Sequence, residues 1–86
     1  MASKRLLKKR LHRIVEDLLD DCDYLIVNDA PTADEADKLI DDAVEFYEAA
    51  LVQINQAKEK ADYRKVVEFI SEKEEAFFSK LNDLNK

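Results

Sequence analysis

Glycine is absent from all 86 positions of this chain, and proline occurs once, at Pro31. A phosphate-cradling P-loop, a dinucleotide fingerprint, a nucleophile elbow and a standard EF-hand loop all need residues free to adopt positive φ, so none of these can be built here. Tight primed-turn β-hairpins are disfavoured on the same ground. One cysteine, Cys22, cannot close an internal disulfide, which excludes a small secreted scaffold stapled by disulfides. With one histidine, His12, ten residues before Cys22, the four ligands of a structural zinc site are missing. Glu-x-x-His pairs of di-iron bundles are missing too, because Lys9 stands three residues before His12. Asp21-Cys22-Asp23 lacks the glycine and the closing glutamate of a calcium loop. Long hydrophobic runs are also wanting: none approaches the ~18 to 20 residues needed to cross a bilayer. The basic start has no apolar stretch behind it, as a secretory signal would, and Glu16 and Asp17 end the character of an organellar transit peptide. The expected location is cytoplasmic.

What is present favours helix. The chain is 40% charged and 47% hydrophobic, rich in leucine, alanine, glutamate and lysine. Its length suits one domain over residues 1–86, with a modest core. Leu7, Leu11, Ile14, Leu18, Cys22 and Leu25 follow one another at spacings of 4, 3, 4, 4 and 3, and Val15, Leu19 and Ile26 widen that stripe. A first helix is therefore predicted over 3–27, with Ser3 as N-cap and Asn28-Asp29-Ala30-Pro31 as the stop. Thr32-Ala33-Asp34-Glu35 has the form of a capping box, each end's side chain aimed at the other's amide. Ala36, Ile40, Ala43, Tyr47, Ala50, Ile54 and Ala57 then repeat as heptads, predicting a second helix over 33–57.

No breaker marks the end of that helix. Its seam would next bring Ala61, Arg64 and Glu68 inward, whereas Tyr63, Val66, Val67 and Ile70 begin a new stripe. This slip predicts a turn at 58–62, Asp62 as N-cap, and a third helix over 63–85 carrying Phe77, Phe78, Leu81 and Leu84 inward. Ser71 to Glu75 leaves one apolar layer of that helix missing. The predicted fold is all-α, a three-helix antiparallel bundle running up-down-up. The alternative is one continuous helix over the last two segments, which would require a dimeric coiled coil.

Nothing in the residues calls for catalysis. Cys22 lies on the apolar stripe, where cysteine behaves as a small buried hydrophobe. His12 and Glu16, four apart, suit a weak surface pair better than a general acid or base. Asp41, Glu45 and Glu48 share one helix face and read as a solvated surface in preference to a weak cation site. The expectation is a non-enzyme without metal, cofactor or evident small-molecule substrate.

Charge distribution is more informative. Residues 1–13 carry +6, residues 16–48 carry −12, and residues 49–86 are neutral, within a net charge of −6. Folding up-down-up gathers Lys4, Arg5, Lys8, Lys9, Arg10 and Arg13 with Lys58, Lys60, Arg64 and Lys65 at one pole. Asp17, Asp20, Asp21, Asp23, Asp29, Asp34, Glu35, Asp37, Asp41 and Asp42 gather at the other. The first helix is thus charged against its own macrodipole at both ends, each such placement costing about 0.3 to 1 kcal/mol when exposed. Either neighbouring helices neutralise these charges, with Glu45 and Glu48 the candidates, or a partner does.

Three partners fit this layout. RNA or the ribosome suits the basic pole, against the acidic overall balance and the lack of aromatics before Tyr24. An anionic membrane surface suits the same segment, though its leucines belong to the core stripe. Protein association suits apolar residues off the core, namely Leu6, Tyr24, Val27 and Phe69, because a small bundle gains by burying a further face. The preferred expectation is protein–protein association as a homodimer; the alternative is binding of an anionic surface (RNA, ribosome or lipid headgroup) through the basic pole.

Overall fold

The structure, a computed structural model, describes residues 4–28 and 31–84. Three helices account for almost all of them: α1 (Lys4–Val27), α2 (Ala33–Gln56) and α3 (Lys60–Leu84). They form an antiparallel three-helix bundle measuring 45 × 17 × 17 Å. Ends meet as an up-down-up path requires. Lys4 Nζ donates to Asn55 O at 3.0 Å, joining the start of α1 to the end of α2, and Thr32 Oγ1 donates to Leu84 O at 3.0 Å, joining the start of α2 to the end of α3. α1 and α2 share the most extensive contact, and α3 packs on that pair less closely.

The α1 stripe is buried as its spacing predicts, Leu7, Leu11, Ile14, Val15, Leu18, Cys22 and Leu25 all lying in the core, with Leu19 and Ile26 half-buried beside it. At its end the Asn28 side chain (2.7 Å) and backbone N–H (3.1 Å) both donate to Tyr24 O, capping a carbonyl that the helix leaves without a partner. Ser3, Asp29 and Ala30 lie outside the described residues, as does the predicted last residue of the third helix, Asn85.

Three expectations need correction. On α2, Ala36, Ala43, Ala50, Ile54 and Ala57 are buried as the heptads require, but Leu39 and Phe46 occupy the interior in place of Ile40 and Tyr47, which are half-buried. An a/d seam describes a helix with one partner, whereas α2 has two and buries a wider arc. Phe46 turns toward α3, its ring 5.7 Å from Phe69 and 5.4 Å from Phe77; Tyr47 turns toward α1, 6.3 Å from His12 edge-on. The alanine row, seven residues apart, lets neighbouring helices approach closely.

The capping box does not form. Thr32 has no side-chain cap bond to α2, and its hydroxyl goes to Leu84 O instead. What the first turn retains is the backbone bond from Ala36 N–H to Thr32 O at 2.9 Å and the favourable carboxylates Asp34 and Glu35.

The second connection is shorter and earlier than predicted. Ala57 leaves the helix with extended geometry (φ −67°, ψ 130°), its N–H shared between Gln53 O and Ile54 O, and α3 begins at Lys60. Asp62 is therefore inside the first turn of α3, not its N-cap. Its Oδ2 accepts from the N–H groups of Lys58 (3.1 Å) and Glu59 (3.2 Å), closing the turn from the third helical position as the acidic member of a capping box does. This turn replaces the continuous helix of the alternative reading.

Candidate functional site

The apolar layer missing from α3 is filled from across the bundle. Arg10 Nη2 donates to Ser71 Oγ at 3.0 Å and to Glu74 Oε1 at 3.3 Å, all three residues half-buried. One cation of the basic start is therefore neutralised internally, by Glu74 and not by Glu45 or Glu48. Lys4 is engaged by Asn55 O. Among the described residues Arg5, Lys8, Lys9 and Arg13 are exposed and form no ion pair with another described residue. Lys58, Lys60, Arg64 and Lys65 are exposed at or just after the second turn, at the same end as the start of α1.

That end is not uniformly basic. Asp62 lines its recess, a hollow of about 250 Å³ with Gln53, Gln56, Ala57, Lys65 and Val66. The two backbone N–H bonds from Lys58 and Glu59, with the nearby Lys65 and Lys58 charges, hold its carboxyl below the usual aspartate range. The recess thus sets an ionised carboxylate beside Lys65 and among the exposed cations of this end.

Of the four candidate association residues, three are at the surface. Leu6 is 60% exposed, Tyr24 68% and Val27 73%, all on α1. Leu6 and Tyr24 are 18 residues apart, a whole number of turns, and so share one side of α1 turned well away from the core stripe. Phe69 is different: it is half-buried and packs on Phe46. With Phe46, Phe77 and Ala49 it floors an open groove of about 450 Å³ between α2 and α3, edged by Asp42, Glu45 and Lys73. Sequence reasoning missed this groove. Its signal was the eight-residue spacing of Phe69 and Phe77 on α3, legible only with Phe46 turned inward. Exposed Val44 and Val52 on α2 were also overlooked.

The remaining chemistry-bearing groups are dispersed. Cys22 is buried, and desolvation, with the Asp21 charge beside it, pushes its thiol pKa up, away from the reactive thiolate. His12 Nε2 lies 3.1 Å from Glu16 Oε1 on an exposed helix face. Among the described residues no three His, Cys, Asp or Glu side chains converge as metal ligands, Asp41, Glu45 and Glu48 included. No described helix is long and apolar enough to cross a membrane. Compared with known proteins, the chain matches no family model, no curated protein and no solved structure.

Proposed function

We propose that this protein is a non-catalytic association module acting by protein–protein contact in a cytoplasmic setting, with a second copy of itself as partner. The observation that carries this reading is the outer face of α1, where Leu6, Tyr24 and Val27 are each exposed by more than half. Single exposed apolar side chains are ordinary on small proteins. Here they share a helix charged against its own dipole, with no acidic residue in its first turn and no basic residue in its last. Internal pairing removes only part of that imbalance, since Arg10 alone of these cations forms an ion pair with another described residue. A partner covering the face would bury the apolar groups and supply the opposing charges. Light scattering across protein concentration tests this: a rise from monomer to dimer mass is expected, and a strict monomer at all concentrations refutes it. Tyr24→Ser with Val27→Ser should return the protein to monomer.

A second reading rests on Arg5, Lys8, Lys9 and Arg13 lying at the same end as Lys58, Lys60, Arg64 and Lys65, a surface suited to RNA, ribosome or lipid headgroups. Asp62 in the midst of these cations weighs against it. RNA or anionic vesicles should bind at low salt and release steeply as salt rises; no binding at low salt disposes of the reading.

A further inference from the structure

The outer face of α1 also carries the orientation of the pairing, an inference that rests on the self-association proposed above. Along this face the exposed residues run Leu6, Lys9, Arg13, Asp17, Asp20, Tyr24. The N-terminal half is basic and the C-terminal half acidic; Leu6 stands at one end and Tyr24, with Val27 one turn beyond it, at the other, Leu6 and Tyr24 being about 27 Å apart at 1.5 Å per residue. Arg13 and Asp17 have the four-residue spacing of a helix pair, yet they form no ion pair with each other, so both charges remain available.

We propose that two copies pair antiparallel through this face, about a two-fold axis crossing α1 at the level of Val15. Leu6 then meets the partner's Tyr24, Arg13 meets the partner's Asp17, and Lys9 lies beside the partner's Asp20; symmetry repeats every contact. A parallel arrangement would set Arg13 against the partner's Arg13 and Asp17 against the partner's Asp17, which like-charge repulsion opposes. Antiparallel pairing also brings the carboxylate-rich end of each α1 to the cation-rich start of the other, answering the charges that oppose each helix's own dipole. The core stripe of α1 stays within its own bundle, so the bundle associates as a folded unit and α1 is not pulled out.

Sedimentation of the full chain at low salt, with Arg13→Glu and Asp17→Lys, tests the register. Both positions are exposed, so folding should persist, and helical circular dichroism checks that it does. Each variant alone converts two attractive contacts into two repulsive ones and should weaken dimerisation about tenfold or more. Mixed together, the two variants should form a heterodimer of near wild-type affinity. In it the carboxylates at both positions of the Arg13→Glu chain face the cations at both positions of the Asp17→Lys chain. A wild-type dimer whose affinity ignores both substitutions, or variants that fail to rescue each other, overturns the register and leaves self-association standing. A wild-type chain that stays monomeric to about 1 mM, where even weak association would show, overturns both. Oxidative cross-linking fixes direction independently: Leu6→Cys should link to Tyr24→Cys in a mixture, while preferential linking of Leu6→Cys to itself overturns the antiparallel arrangement.

Discussion

Truncating Phe46 is the sharpest test of how α2 is turned within the bundle. Heptad spacing alone puts Tyr47 inside; in the structure Phe46 is 4% exposed and Tyr47 is half-buried. Phe→Ala in a core costs about 3 to 5 kcal/mol, from lost transfer free energy and the cavity left behind. The two tilted ring contacts with Phe69 and Phe77 are part of that loss, at about 0.5 to 1.5 kcal/mol each. Because the Phe46 ring also lines the open groove between α2 and α3, water can enter the vacated space, which places the cost near the low end, about 3 kcal/mol. Tyr47→Ala should cost about 1 to 2 kcal/mol, since its ring is covered on one side only, by α1. An 86-residue domain has about 4 to 13 kcal/mol in total. Phe46→Ala should therefore remain folded but melt about 12 to 24 °C lower. Urea and thermal unfolding followed by circular dichroism, at low protein concentration in high salt to keep self-association out, give both values. If the alanine variant proves unfolded, Phe46→Leu should lose about 1 to 2 kcal/mol and serve in its place. A Tyr47→Ala loss equal to or greater than that of Phe46→Ala would refute the orientation of α2.

Replacing the Arg10–Glu74 bridge by apolar residues, Arg10→Met with Glu74→Leu, should raise stability by about 1 kcal/mol by completing the interrupted layer of α3, whereas Arg10→Met alone should lower it; urea midpoints of the three proteins decide this. Thr32→Val should cost about 1 kcal/mol through the lost bond to Leu84 O, while Glu35→Ala should cost under about 0.5 kcal/mol because no capping box depends on it; equal losses would restore the capping box. Asp62 has its pKa lowered by folding, so its stabilisation is fully present above the unfolded aspartate value near about pH 4 and is lost as pH falls through the lower folded value. Asp62→Asn should therefore lower the melting temperature at pH 7 and flatten its decline below about pH 4; a decline as steep as wild type would show that Asp62 does not carry that dependence.

Much of the fold was legible because helices announce themselves locally. On α1 a single stripe with clean spacing named every buried residue, and the absence of glycine removed competing loop-built architectures. The candidate surface was legible to the same degree: Leu6, Tyr24 and Val27 diverge from that stripe by angle alone and are exposed. Phe69 was not, because whether a flank residue is covered depends on the neighbour, and heptad spacing puts Phe46 on the wrong side of α2. Turn positions suffered in the same way. Without glycine the second connection had to be placed from a register slip, which marks where packing changes and not where the backbone turns, so α3 begins three residues earlier than expected.

Composition and periodicity are properties of the chain read one turn at a time, and they suffice for helix count, the buried face of α1 and the reversal of charge along α1. Choices between chemically equivalent partners belong to the folded bundle. Thr32 could cap its own helix or reach the end of another, and Arg10 could pair with Glu45, Glu48 or Glu74; each alternative is locally of similar energy. Three helices packed together leave only one of each within hydrogen-bonding distance, Leu84 O for Thr32 and Glu74 for Arg10.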